Sequence, residues 1–237
     1  MKKGIVIGAT SGIGKQLAII MSKDEYEIGV TGRRIELLES LKEELPNKSY
    51  IRQMDIVDTK KTIDDLNSLI SEMGNVDLII VSAGIGYENE DLKWDLEKKT
   101  IDTNVSGVTA VVNCAMQYFM NRKSGHLVVI SSLAGIRGSA ICPAYNASKA
   151  YISNYLEGLR GKIKRAHLSI TITDIKPGLV DTAMAKGEGV FWVMPVEKVS
   201  KQIYKAIKKK KIEAVVTKRW RIIGFILKII PKSFYKG

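Results

Sequence analysis

The chain has 237 residues, 45% of them apolar and 26% charged, with 20 Gly and 5 Pro; it can bury a large core and is neither a disordered nor a low-complexity polymer. Its two cysteines, Cys114 and Cys142, exclude a disulfide-dense scaffold, lack metal-ligand spacing and read as small, partly buried hydrophobes. Lys and Arg number 37 against 25 Asp and Glu, a net charge of +12, and the whole excess lies in residues 198–237, where 13 basic residues accompany the single acid Glu213. A neutral body therefore carries a basic, surface-binding end.

The chain opens Met1-Lys2-Lys3, followed by the short apolar run Ile5-Val6-Ile7, which stops at Gly8. A secretory core needs roughly 7–15 apolar residues and a bilayer span about 20, so the expectation is a cytoplasmic chain that does not cross a membrane. Strand-like, β-branched runs occur at 4–7, 27–30, 49–54, 76–82, 125–131, 169–175 and 214–217. Segments of helical period lie between them at 13–21, 35–45, 60–73, 93–122, 144–164 and 196–208. Pro46 follows the second helix, and Asp58 and Thr59 precede the third, as helix ends require. This alternation predicts an α/β, doubly wound (Rossmann-type) parallel sheet of seven strands with helices on both faces. No repeat and no linker divides it, so one domain is expected over 1–217, followed by a basic amphipathic tail, 218–237.

Between the first strand and first helix runs Gly8-Ala9-Thr10-Ser11-Gly12-Ile13-Gly14. Glycines there permit a tight turn and close approach of backbone N–H groups to a pyrophosphate seated on the positive helix end. The second strand finishes Thr31-Gly32-Arg33-Arg34. An NAD binder places an acid near this point for the ribose hydroxyls; two guanidinium groups pair instead with a 2′-phosphate. NADP(H) is the expected cofactor, with NAD the alternative.

Tyr145 and Lys149 open the helix at 144–164 with i, i+4 spacing, which sets phenol and ammonium on one face. The cation is expected to lower the phenol pKa and make Tyr145 an acid/base near neutral pH. Ser131-Ser132 closes the fifth strand at the carboxyl edge, where open α/β sheets hold their ligands, and a serine there can hold a carbonyl oxygen while Tyr145 protonates it.

Taken together, these residues resemble the short-chain dehydrogenase/reductase family over nearly all of residues 3–217. Gly8, Gly12 and Gly14 are similar to its Thr-Gly-x-x-x-Gly-x-Gly loop, with Ile7 in place of Thr. Asp55, with Ile56 beside it, resembles the residue that binds the adenine amino group. Ser82-Ala83-Gly84 resembles the Asn-Asn-Ala-Gly segment, and Pro177-Gly178-Leu179-Val180-Asp181-Thr182 the loop beside the nicotinamide. Asn104, Ser132, Tyr145 and Lys149 match the catalytic tetrad. The resemblance implies direct hydride transfer between NADP(H) and a carbonyl or alcohol. Ser132 would polarise the carbonyl, Lys149 would bind the nicotinamide ribose and tune Tyr145, and Asn104 would hold a water leading to solvent. The implied cofactor contacts are Gly8, Thr10, Ser11, Gly12, Ile13, Gly14, Arg33, Arg34, Asp55, Ile56, Ala83, Gly84, Asn104, Tyr145, Lys149, Pro177, Gly178, Val180 and Thr182. A non-catalytic dinucleotide-binding regulator or scaffold is the alternative on the same fold.

Residues 183–196 correspond to the stretch that covers the substrate in this family. Their glycines and the run Val190-Phe191-Trp192-Val193-Met194 suit a lid over a lipophilic substrate, or else the aromatics pack into the body. In the tail, Arg221, Gly224 and Lys228 form a narrow stripe on an otherwise apolar helix that Pro231 stops. Three placements fit it: docking on its own body or an oligomer partner, lying in an anionic membrane interface, or both. Late helices make dimers or tetramers in the family, so a homo-oligomer is expected, and peripheral attachment at the inner face of a membrane is open. Neither an aromatic platform nor a recognition-helix motif points to nucleic acid. His126 and His167 stand apart from any carboxylate or cysteine, read as structural, and leave no metal site.

Overall fold

The computed structural model describes residues 1–182, 192–231 and 235. In chain order it forms β1 (Lys2–Ile7), α1 (Gly12–Lys23), β2 (Tyr26–Gly32), α2 (Ile35–Glu44), β3 (Ser49–Gln53), α3 (Thr59–Met73), β4 (Leu78–Val81) and α4 (Trp94–Ile101). A π-helical turn (Asp102–Gly107) leads into α5 (Val108–Arg122) and β5 (Ser124–Ile130). After a 3₁₀ turn (Leu133–Ile136) come α6 (Pro143–Arg165), β6 (Ser169–Pro177), α7 (Val196–Lys208), β7 (Glu213–Val216) and α8 (Lys218–Ile229). The seven strands form one sheet in the order β3-β2-β1-β4-β5-β6-β7, parallel throughout. The order reverses between β1 and β4, which opens a crevice at the carboxyl edge of the sheet there.

Strand alternation divides the core into two layers. Ile5, Ile7, Ile79, Val81, Leu127 and Val129 point toward Leu66 and Leu69 of α3, Val111 and Phe119 of α5, and Ile152 and Leu156 of α6. Val6, Ile28, Val30, Ile80 and Val128 point the other way, toward Leu17 and Met21 of α1, Leu38 and Leu41 of α2, and Ile203 and Ile207 of α7. Because both faces of each strand are covered, the strands read as continuous apolar runs rather than alternating ones.

Local signals set the helix ends. The Asp58 carboxylate accepts from Lys61 N at 3.1 Å and caps α3, which closes at Gly74 with φ +80°. Pro143 stands in the first turn of α6, where a missing N–H leaves no hydrogen bond unmade. The expected helix over 93–122 runs as one continuous helical stretch over 94–122, widened into the π-helical turn at 102–107. There Gly107 lies against Ile56, with room for no side chain: an added Cβ would sit 2.6 Å from Ile56 O. Fully buried Asn104 is fastened to Ile85. Tertiary contacts therefore override helical propensity at this point.

α8 packs against the body along one face. Trp220 is buried against Gly178, and buried Gly224 lies on Leu133. Arg137 donates to Leu227 O (2.7 Å) and to Ile230 O. The expected stripe is thus divided, with Gly224 facing the body and Arg221 and Lys228 exposed.

Candidate active site

The loop after β1 turns on glycines that nothing larger can replace. Gly8 has φ +84°, and a Cβ on it would lie 2.7 Å from Ala83 N. A Cβ on Gly14 would lie 2.1 Å from Gly8 O, so α1 starts pressed against the loop. Gly12 has φ +56° and faces Thr182. Ile13 packs its half-buried side chain on the layer beneath. Ser11 is the N-cap of α1 but makes no side-chain cap bond, and the first turn carries no acid. The positive end of α1 is therefore not neutralised by its own residues, the condition under which a helix start accepts an anion.

The end of β2 reaches the same place. Arg34 Nη2 donates to Thr10 Oγ1 at 2.8 Å and Ser11 Oγ at 3.3 Å. Arg33 is exposed beside it, its carbonyl accepting from Gln53 Nε2 at 2.9 Å. Asp55, exposed after β3, accepts from Val57 N at 3.2 Å, while buried Ile56 supports Gly107. These loops meet at the start of α1, with the Arg34 guanidinium on two hydroxyls.

The four tetrad residues come together at the carboxyl edge of the sheet. Lys149 is buried and donates from Nζ to Ile130 O at 3.1 Å, and its ammonium lies 5.6 Å from the centroid of the Tyr145 ring. A Cβ on Gly84 would meet Lys149 Nζ at 3.2 Å and Asn104 Oδ1 at 3.4 Å. Asn104 Nδ2 donates to Ile85 O (2.7 Å) and Ser148 Oγ (3.0 Å), and Oδ1 accepts from Ile85 N (2.9 Å). Ser148 Oγ in turn donates to Tyr145 O at 2.7 Å. Ser132 caps the 3₁₀ turn by accepting from Ala134 N at 3.1 Å and hydrogen-bonds the Tyr145 side chain. Asn146 Nδ2 donates to Ala134 O (2.9 Å) and Arg137 O (2.7 Å), which ties the start of α6 to the Ser132 turn.

Burial governs the acid–base balance. It lowers the Lys149 pKa to about 8, against a smaller upward pull from the Asp174 carboxylate. It raises the Tyr145 phenol above its ordinary value, and the Ser132 hydrogen bond opposes that rise. The i, i+4 spacing predicts a phenol lowered by Lys149. The direction is the opposite, because burial raises the phenol more than its Ser132 hydrogen bond lowers it, and the Lys149 ammonium bonds to Ile130 O.

The Pro177 loop, the stretch expected from the sequence to border the nicotinamide, follows β6 at the carboxyl edge of the sheet. Gly178 N donates to Val216 O at 2.9 Å, Val180 is buried and bridges to Met194, and Thr182 Oγ1 donates to Val180 O at 3.3 Å. Of the expected lid, residues 183–191, Phe191 included, lie outside the described residues. Trp192 is 49% exposed, with the Arg219 guanidinium 5.7 Å from its ring. His126 is buried and its Nε2 lies 2.8 Å from Thr173 Oγ1, a structural placement.

Three supporting residues escaped the sequence reading. Gly86 lies under the Tyr145 ring, where an added Cβ would be 2.7 Å from Cδ2. Buried Asp174 accepts from Ser131 Oγ, so of the two adjacent serines Ser132 is the one bonded to Tyr145. Ile85 holds Asn104. The strand-end register that pairs Val129 with Asp174 is the only signal for the second of these, and a sequence does not display it.

The sequence profile described as short chain dehydrogenase matches residues 2–189. An uncharacterized oxidoreductase of Myxococcus xanthus is 33% identical over 188 residues, 77% of this chain and 74% of that protein. Among solved structures, the closed form of a serine dehydrogenase complexed with NADP+ is 26% identical with a TM-score of 0.80, covering 90% of this chain and 92% of that one. Serine dehydrogenase from Escherichia coli is 28% identical with a TM-score of 0.75, covering 86% and 90%. The chain belongs to the short-chain dehydrogenase family and is an oxidoreductase of that family.

Proposed function

We propose that this oxidoreductase moves a hydride between NADP(H) and a lipophilic carbonyl or alcohol substrate, with Tyr145 as the proton donor or acceptor. The observation that carries the reading is the meeting of Tyr145, Ser132, Lys149 and Asn104 at the sheet edge, beside a glycine loop that leaves no room for side chains. The loop and the uncapped start of α1 suit a pyrophosphate, and Arg33 and Arg34 with Thr10 and Ser11 suit a 2′-phosphate. Asp55 and Ile56 would border the adenine, Ala83 and Gly84 the adjoining ribose, and Pro177, Gly178, Val180 and Thr182 the nicotinamide. When bound there, the reduced cofactor supplies the hydride.

The chain's own residues do the rest. Ser132 holds the carbonyl oxygen. A phenol raised by burial stays protonated near neutral pH, the state required of a donor to that oxygen. Lys149, whose pKa burial lowers to about 8, holds the nicotinamide ribose with its ammonium beside the Tyr145 ring. Asn104 fixes the π-helical turn beside Lys149, where the water leading to solvent belongs. Exposed Trp192, at the end of the expected lid, favours a lipophilic substrate. On this reading residues 1–217 form the cofactor-binding and catalytic unit, with 183–196 as its lid and 218–237 as an appended segment. The protein is a cytoplasmic homo-oligomer open to peripheral membrane attachment.

A Tyr145→Phe variant tests the assignment. NADPH affinity measured by fluorescence should stay within about twofold, while turnover of a carbonyl panel falls by about 10³-fold. Retained turnover would mean that another group is the acid.

A further inference from the structure

We propose that α8 seats the protein on an anionic lipid surface, next to the mouth of the candidate active site. At about 100° per residue, Trp220, Gly224 and Leu227 share the face of α8 that packs on the body. Ile222, Phe225, Ile226 and Ile229 share the face about 180° away, and these four are 64%, 65%, 46% and 63% exposed. Isolated exposed apolar residues are ordinary; four in a row on one helical ridge form a contact surface.

Charge identifies the occupant. Arg219 stands on one shoulder of the ridge, and Arg221 and Lys228 on the other, all exposed. The single acid of residues 198–237, Glu213, is already engaged, by Lys176 at 2.6 Å and Lys228 at 3.8 Å. An apolar ridge between two cationic shoulders matches a helix lying in the plane of an anionic bilayer, with aliphatic side chains below the headgroups and cations among them. Trp192, exposed beside Arg219, adds the amphipathic ring that favours this depth.

A second copy of the chain fits the ridge less well. A two-fold contact would bring the same patch against itself, setting Arg219, Arg221 and Lys228 near their own copies. The aliphatic ridge also gives nucleic-acid bases no platform to stack on. The lysines at 208–211 are not part of this surface: they precede β7, whereas α8 starts beyond the other end of that strand, and Lys208 pairs with Asp24 at 3.1 Å.

The place of α8 links the contact to the site. Its buried face touches Gly178 and Leu133, the first in the Pro177 loop and the second next to Ser132. A ligand leaving the bilayer beside α8 would emerge next to these two segments. This last link rests on the functional reading above, whereas the lipid contact itself does not.

The test is co-sedimentation of the full chain with phosphatidylcholine vesicles, with and without about 30% phosphatidylserine, at about 0.1 M salt. The proposal expects binding to the anionic vesicles only. Phe225→Ser with Ile229→Ser should weaken it about tenfold or more, and Arg219→Glu with Arg221→Glu by about fivefold per cation. Thermal midpoint and NADPH affinity should be unchanged in both variants. Absence of vesicle binding, equal binding to neutral vesicles, or variants that bind like the parent would overturn it. So would a ridge variant that turns an oligomer into a monomer while keeping its vesicle affinity, since a second copy would then cover the ridge. Vesicle binding is read without turnover, so a failed Tyr145 assignment would leave this result standing.

Discussion

Replacing both arginines at the end of β2 by alanine separates recognition of a 2′-phosphate from general support of the loop. Arg34 spends one nitrogen on Thr10 and Ser11 at 2.8 and 3.3 Å, while the Arg33 side chain is exposed. A charge-assisted hydrogen bond contributes about 1.5–3 kcal/mol. Arg34 exchanges existing hydroxyl bonds for phosphate bonds and so adds less than this, and Arg33 in open solvent sits at the lower end. Their joint contribution is then about 3 kcal/mol, or a loss of roughly 10²-fold in NADPH affinity. NADH lacks the 2′-phosphate and should keep its affinity to within about threefold. Fluorescence titration of both dinucleotides, at low and at high salt, measures this. The salt arm removes any long-range attraction shared by the two cofactors. An equal loss for NADPH and NADH would refute the reasoning and leave the arginines as supports for Thr10 and Ser11. Tighter NADH binding in the parent protein would refute the choice of cofactor.

Two further outcomes follow from packing and titration. A Gly86→Ala variant places a methyl group about 2.7 Å from the Tyr145 ring; kcat should fall by about tenfold or more as the phenol shifts, with NADPH affinity and thermal midpoint nearly unchanged, and unaltered kcat would contradict this seat for the ring. Burial lowers His126 to about 4, so the imidazole is neutral in the fold and the unfolded chain takes up the extra proton as pH falls through about 6.5. Stability is therefore full above that pH and is lost progressively down to about 4. The loss attributable to His126 is about 2 kcal/mol at pH 5, and urea unfolding should show it shrink in a His126→Gln variant.

The sequence carried the strands and most helices because each is long, buried on both faces or strongly periodic; β4 and α7 come out within a few residues of the apolar runs that announce them. The glycine loop and the Tyr145–Lys149 pair were legible for a different reason, since their chemistry depends on residues adjacent along the chain. What stayed hidden depends on distant partners. The π-helical turn arises where Gly107 meets Ile56 and where Asn104 meets Ile85, and the local sequence at 93–122 has only the periodicity of an uninterrupted helix. The direction of the Tyr145 pKa is set by how deeply the group is buried, which i, i+4 spacing does not reveal. α8 was ambiguous because apolar residues surround almost the whole helix. Its contacts with Gly178, Leu133 and Arg137 divide it into an inner face and an exposed ridge.

The proposed reaction is direct transfer of hydrogen from a reduced dinucleotide to a carbon atom at the Tyr145–Ser132 site. Incubating the protein with NADPH deuterated at the nicotinamide C4, one face at a time, and a set of apolar ketones tests it by mass spectrometry. Deuterium should appear on the carbinol carbon of the alcohol product, from one of the two faces only, with none from Tyr145→Phe. Product without label, or label released into water, would contradict it.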